Sequence, residues 1–281
     1  MLTSDNQRFA DLRQPRRVWA VGAIHGDAGR LGAIHDEVGK RFVAGDRLVY
    51  LGNLVGHGPA VTETLDELLG FRIALLAVPG LDADDIVYLR GAQEEMWQKL
   101  LQLQFAPNPA EVLGWMLNQG VGATLAAYGG SAEAGLRAAR EGAVALTRWT
   151  NALRAAMRDR PGHENLASAL RRAAYTSLPG RNEGGEGGRE PTGLLLVHAG
   201  LDPARPLAAQ GDAFWWGAPG FQRISGPYET FARVVRGYDP ARGGIAVTDH
   251  AATLDAGCGF GGRLACACLA PSGEILEIIE A

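Results

Sequence analysis

Apolar positions in the first third of the chain alternate between short runs and helical spacing. Arg17 to Ala23 (RVWAVGA) is an apolar run closed by glycine, and Leu31, Ile34 and Val38 then recur at helical spacing between Asp27 and Arg41. This predicts a strand, a loop and a helix. Asp46 to Leu51 (DRLVYL) predicts a second strand, and after the GNLVGHGP loop Val61, Leu65 and Leu68 share one face of a helix that Pro59 opens near its first turn. Further apolar runs, Arg72 to Val78 and Asp85 to Leu89, predict a third and a fourth strand. Strands alternating with helices at this spacing imply βαβ units and a largely parallel sheet.

From Ala92 to about Ser177 the period becomes helical, with Leu136, Val144, Trp149, Leu153 and Met157 spaced for one buried face. We read residues 92–177 as a helical insertion within a single domain, 1–281. Residues 179–193 (PGRNEGGEGGREPTG) have almost nothing to bury and predict a flexible Gly-rich surface loop. LLLVHAG then resumes the sheet. The end of the chain reads as strands over Ile245 to Val247, Ala252 to Leu254, Arg263 to Leu269 and Ile275 to Ile279, with GCGFGG and PSGE as turns.

Composition narrows the partner classes. At 281 residues, 47% apolar and 21% charged, the chain is long enough for a substantial core. Its 27 Lys and Arg against 31 Asp and Glu leave a net charge of -4, with no basic surplus to neutralise a phosphate backbone, so nucleic acid is not an expected partner. No apolar run reaches the roughly 18 residues that span a bilayer, and residues 1–17 lack a signal-peptide core, so a cytoplasmic protein without a membrane partner is expected. Cys258, Cys266 and Cys268 form neither a disulfide framework nor a CxxC knuckle and read as small apolar side chains on a buried strand. The 39 glycines point to many turns with close backbone approach, as where loops build a site at strand ends.

The candidate chemistry lies in the loops after the strands, where α/β sheets bind ligands. In order these are VGAIHGD, LGNLVGHG, LRGAQEE, LLVHAGLDP, VVRGYDP and TLDAGCGFGGRL. With WMLNQGVGATLAAYG (Trp115 to Gly129) and HAGLDPARPLAAQ (His198 to Gln210), the series resembles the calcineurin-like metallophosphoesterases over nearly the whole chain. It is most similar to the phosphoprotein phosphatase branch and its bacterial diadenosine tetraphosphatase-like relatives. The resemblance implies an α/β fold of two mixed β-sheets packed face to face and flanked by helices (αββα), with the helical insertion over the site mouth.

It also implies a chemistry: two divalent metals held by Asp, His and Asn, with a His donating a proton to the leaving oxygen. Two such cations clamp the phosphoryl oxygens and acidify a bridging water, which requires anionic ligands. The family's GDIHG reads Gly22-Ala23-Ile24-His25-Gly26 here, so Ala23 replaces a metal-binding Asp while His25 remains. GDxVDRG reads Gly52-Asn53-Leu54-Val55-Gly56-His57-Gly58, so Asn53 stands for the bridging Asp, Gly56 for the second Asp and His57 for the phosphate-binding Arg. RGNHE reads Arg90-Gly91-Ala92-Gln93-Glu94, so Ala92 replaces the metal-binding Asn, and Gln93 occupies the catalytic His position. His198 keeps the HAG ligand, Tyr238 replaces the His of GHTP, and Gly217 stands where a further phosphate-binding Arg belongs.

Two of six ligands therefore survive, both neutral imidazoles. Two dications without a carboxylate would leave about four positive charges uncompensated in a partly desolvated site. The expectation is a catalytically inactive, phosphatase-like protein with a vestigial pocket, no catalytic residue and no required cofactor, binding a protein or a small phosphorylated ligand. The alternative is a phosphoesterase with a rebuilt site, one weakly held metal on His25, Asn53 and His198, helped by Asp27, Asp249 or His250. Asp27 has a competing reading as a helix N-cap, and His57 as a weak anion contact. His35 and His163, without acidic neighbours at useful spacing, are expected at the surface, and Trp215 and Trp216 in core and rim packing.

Overall fold

A computed structural model of the chain describes residues 9–177 and 191–281. In chain order the elements are β1 (Phe9–Asp11), β2 (Val18–Val21), α1 (Ala28–Gly39), β3 (Arg47–Tyr50), α2 (Val61–Leu76), β4 (Ile86–Tyr88) and α3 (Ala92–Leu100). Five helices follow: α4 (Pro109–Asn118), α5 (Val121–Ala127), α6 (Ala132–Glu141), α7 (Ala143–Arg158) and α8 (His163–Ala169). The rest is β5 (Ala173–Tyr175), β6 (Gly193–Val197), α9 (Ala213–Trp216), β7 (Phe231–Arg236), β8 (Ala246–Val247), β9 (Ala251–Thr253), β10 (Ala265–Leu269) and β11 (Ile275–Glu280).

Two mixed sheets result, ordered β11-β10-β2-β3-β4 and β1-β5-β6-β7-β9-β8. Strands β2, β3 and β4 run parallel, as do β6, β7 and β9, while β10 joins β2 antiparallel. The pleat sends alternate side chains to opposite faces. Val18, Ala20, Val49, Leu51, Leu194, Leu196, Val235 and Ala252 therefore meet between the sheets. Trp19, Val21, Leu48 and Tyr50 face outward onto α1, α2 and the helices after β4, and Leu195, Val197 and Val234 face Phe214 and Phe221 on the other side. This is the expected αββα α/β fold.

Two expectations need correction, and a third falls mostly outside the described residues. The run Arg72 to Val78 is not a strand; its first five residues extend α2, because Leu75 continues the buried helical row of Leu65 and Leu68 while Ile73 points to solvent. The helical stretch from Ala92 ends at Ala169, and residues Ala173–Tyr175 pair with both β1 and β6 as strand β5. The Gly-rich loop of 179–193 lies outside the described residues up to 190, and Gly193 already belongs to β6.

His35 and His163 are also not at the surface. His35 is stacked on Phe71 and bonded through Nδ1 to Glu67 (2.6 Å) and through Nε2 to the Tyr50 hydroxyl (2.8 Å). His163 joins the Tyr128 hydroxyl (2.8 Å) to Asp66 (3.0 Å). Both acidic partners come from α2, far along the sequence. The three cysteines are buried and free, as expected.

Candidate functional site

The carboxyl ends of β2, β3, β4, β6, β7 and β9 lie side by side, and each feeds one of the motif loops. Backbone bonds knit these loops together. Ile24 N and His25 N both donate to Asn53 O, Ala23 N donates to Gly237 O, and Gly237 N and Tyr238 N both donate to His198 O. Behind them, the Glu94 carboxylate accepts from Gly91 N (2.7 Å), Asn53 N (2.9 Å) and Val55 N (3.1 Å). Burial raises the Glu94 pKa, opposed by these three donors. Glu94 therefore acts as a clamp that shapes the β3 and β4 loops.

Ala23, His25, Asn53, Gly56, His57, Ala92, Gln93, Glu94, His198 and Tyr238 share this cluster. Asn53 Oδ1 accepts the Gln93 backbone N–H at 3.0 Å, and Asn53 Nδ2 donates to His25 Nε2 at 3.4 Å. Gln93 Nε2 donates to Gln119 O (2.7 Å) and lies 3.5 Å from His57 Nε2, and its side chain lies against Gly56. Arg90 instead turns to Glu95 and Gln98. Both His25 and Asn53 adopt left-handed backbone, with φ of 56° and 50°, which Asn tolerates better than most residues.

Rings fill the centre. His25 meets His57, Tyr238 and Phe260 edge-on, with centroids 5.2, 5.6 and 5.2 Å away, and Tyr238 lies parallel to His198 at 5.4 Å. The loops approach so closely that side chains are excluded at two glycines. A Cβ on Gly120 would sit 2.2 Å from the His57 ring and one on Gly259 2.4 Å from His25 Cβ, and both glycines have positive φ.

His25 and His198 are 1% and 0% exposed. Burial holds His198 down to about 4, with the Leu51 carbonyl on Nδ1 (2.7 Å) opposing. Burial likewise pushes His25 well below its ordinary value, helped by His57, His198 and Arg242. Both rings are thus neutral near pH 7. Tyr238 is pushed up by burial. The site loops are braced below by a buried pair: Arg236 contacts Asp239 at 3.0 Å, and Asp255 accepts Asp239 N (2.9 Å) and Gly257 N (2.9 Å).

The residues present do not fit the family's dinuclear centre. Among the described residues His25 Nδ1 and His198 Nε2 are buried without a hydrogen-bond partner, and no carboxylate completes a metal-binding group with them. The Asn53 oxygen is taken by Gln93. Among the described residues no group of three or more His, Cys, Asp or Glu side chains is placed to hold a metal. The three candidate replacements are engaged otherwise or placed at another end of the sheet. Asp27 caps α1 through Arg30 N and pairs with the Arg30 guanidinium. His250 and Asp249 precede β9, at the opposite end of the strand from Asp255, where His250 Nδ1 bonds Ala232 O and Arg233 bonds Asp249 O.

Sequence reasoning missed Phe260, Arg242 and Asp255. Arg242 follows the GYDP motif by two residues and Asp255 lies within LDAG, so position alone could have flagged both. Phe260 lies inside GCGFGG, which reads as a plain turn until the chain folds it over His25. Arg242 lies 3.7 Å over the Phe260 ring at the exposed edge of the cluster.

The fold is that of the calcineurin-like metallophosphoesterases. A solved structure assigned as a diadenosine tetraphosphatase superposes with a TM-score of 0.53 at 19% identity over 98% of each chain. A protein serine/threonine phosphatase from Saccharomyces cerevisiae, similar to human phosphatase PP5, gives 0.51 at 12% identity over 99% of this chain and 85% of that one. No model of a known protein family matches the chain, and no curated protein does. No helix among the described residues is long and apolar enough to cross a membrane.

Proposed function

We propose that this chain is a catalytically silent member of the phosphatase fold, which uses the retained loop frame as a binding or regulatory module. The observation that carries this reading is the commitment of Asn53: its oxygen holds the Gln93 amide and its nitrogen faces His25, in the place where the resemblance puts a metal-bridging carboxylate. A proton donor is missing as well, because Gln93 does not titrate. Each of these groups supplies a factor of about 10² to 10⁴ in rate.

The cluster still favours an anion. The carboxylates about it are already met, Glu94 by three backbone amides, Asp255 by two and Asp239 by Arg236, and the Arg242 guanidinium stands at its open edge. A protein or a small molecule bearing a phosphoryl or carboxylate group suits that charge. The rebuilt one-metal site is less favoured, since the Asp27 carboxylate caps α1 and Asp249 precedes β9, at the end of that strand away from the site loops.

The test is hydrolysis of p-nitrophenyl phosphate and of dinucleotide polyphosphates, with Mn²⁺, Mg²⁺, Fe²⁺ or Zn²⁺ added. No turnover above background is expected. A metal-dependent rate in the usual enzyme range of about 1 to 10³ per second overturns the reading.

A further inference from the structure

Two of the site loops are joined at their bases by one carboxylate. Asp255, after β9, accepts the N–H of Asp239 at 2.9 Å and that of Gly257 at 2.9 Å, and so ties the turn after β7 to the turn before β10. Each turn is also closed on itself. Asp239 Oδ1 accepts Ala241 N (3.0 Å), its Oδ2 accepts Gly243 N (3.0 Å), its carbonyl accepts Arg242 N (2.8 Å), and its carboxylate meets Arg236 at 3.0 Å. In the other turn Phe260 N and Gly262 N both donate to Gly257 O at 3.0 Å. The relative position of Arg242 and Phe260 is therefore built in, with the guanidinium 3.7 Å over the ring.

Arg242 is an unexpected residue for its place. Its φ of 54° lies in the left-handed region, where glycine is the ordinary choice, and two glycines, Gly243 and Gly244, follow it directly. A strained backbone held by so many bonds points to a use for the side chain it carries. The residue is exposed. It is Arg236 that pairs with Asp239; among the described residues Arg242 has no ion pair, and its side-chain contact is the Phe260 ring. The carboxylates of the two turns are committed to backbone amides and to Arg236. An arginine seated on a ring keeps its N–H donors for a second partner, in a planar fork that matches two oxygens of one anionic group. Its field reaches the neighbouring imidazole: His57, with its centroid 4.4 Å from that of Phe260, has its pKa lowered by burial and then by Arg242.

The resemblance puts phosphate-binding arginines at positions 57 and 217, which are His57 and Gly217 here. We infer that Arg242, seated on Phe260, is the anion-binding residue of this protein and does that work from a different loop, its fork holding a phosphoryl or carboxylate oxyanion at the mouth of the ring cluster. The inference rests on the reading of the cluster as anion-binding and adds the residue that does the binding. Association costs the ordering of side chains, and an arginine already placed on a ring has less of that freedom to lose. Asp239 and Asp255 act as positioning residues, since they hold the two turns and not the ligand.

The experiment follows the Arg242 Nε–H signal of the full chain by proton–nitrogen NMR, in EDTA, during titration with phenyl phosphate, with benzoate and with neutral benzamide. Phenyl phosphate or benzoate is expected to move that signal and to saturate at millimolar concentration, while benzamide leaves it in place; the tighter of the two anions identifies the oxyanion. Arg242→Gly suits the left-handed backbone and so keeps the turn, and it is expected to weaken binding about tenfold, read on the Phe260 and His57 signals. Arg242→Lys keeps the charge and loses the fork; it is expected to lose severalfold and stands in if Arg242→Gly fails to fold. Undiminished affinity in either folded variant overturns the inference and leaves the anion-binding reading of the cluster standing. Failure of the wild type to bind either anion overturns both. Metal-dependent turnover, which sinks catalytic silence, leaves a titration in EDTA untouched, so the two readings fail separately.

Discussion

The side-chain oxygen of Asn53 accepts the backbone N–H of Gln93 at 3.0 Å, joining the β3 loop to the first turn of α3. Asn53 thereby does for the backbone what a metal-bridging group would do for cations: it holds two loops at a fixed separation. Its own φ of 50° is a conformation that Asn adopts more readily than Ala. Replacing it by Ala leaves the Gln93 amide buried and unmatched, at about 1–3 kcal/mol, and adds about 1 kcal/mol for the left-handed backbone. For a chain of this size Asn53→Ala should lower the thermal midpoint by several degrees, about 2–4 °C per kcal/mol. Differential scanning calorimetry of the variant checks this, and a midpoint within 1 °C (about 0.3 kcal/mol) of the wild type would refute the bracing role.

Stability should fall in mild acid. His198 is neutral in the native state with a pKa of about 4, whereas the unfolded chain takes up its proton near the ordinary value of about 6.5. The unfolded state thus binds more protons between these values, so this stabilisation is complete above about pH 6.5 and is lost as pH falls toward 4. His25 and His35, both lowered chiefly by burial, add in the same direction. Glu94 and Asp255, raised chiefly by burial, oppose it at the acidic end. From His198 alone, unfolding free energy should drop by about 2 kcal/mol between pH 7 and 5. Urea denaturation at several pH values measures the slope. His198→Asn keeps a donor for Leu51 O and removes the titration, so it should flatten the curve; an unchanged slope would assign the effect elsewhere.

The loops of the site were legible in the chain because each follows a strand whose apolar run is local. The runs by themselves implied βαβ units in a largely parallel sheet, and the two-sheet αββα layering came from the resemblance carried by the loop motifs. What the sequence hides depends on contacts between distant segments. Nothing near His35 announces Glu67, and nothing near His163 announces Asp66, because α2 delivers both carboxylates from 32 and 97 residues away. The run at Arg72 to Val78 looks like a strand since a short apolar stretch has no period of its own; only the preceding turns of α2 settle it. Phe260 is a single aromatic in a glycine turn, and its place over His25 arises when β9 and β10 bring that turn back to the end of β2. The expectation that ligand positions carry other residues rests on residue identity set against the resemblance, and the geometry adds a packed cluster of rings at those positions.

That cluster sets the conditions under which metal binding could be restored. In Asn53→Asp one carboxylate oxygen can keep the Gln93 N–H while the other replaces the amide N–H that now faces His25 Nε2, turning a donor into a ligand. Ala23→Asp adds a second negative charge, Tyr238→His exchanges the ring parallel to His198 for a donor, and Ala92→Asn supplies an amide oxygen at the start of α3. Charge dominates these changes, since opposite charges within about 4–6 Å outweigh exchange of one neutral donor for another. The fourfold variant should therefore bind Mn²⁺ at least about tenfold more tightly than the wild type, a gain of about 1.4 kcal/mol. Catalysis should not follow until Gln93→His returns a proton donor and His57→Arg a forked phosphate contact. Calorimetric Mn²⁺ titration of the variant, with circular dichroism to establish folding, reads the first step. A folded fourfold variant that binds no more metal than the wild type would mean that the loops, and not only their side chains, have been reshaped around the ring cluster.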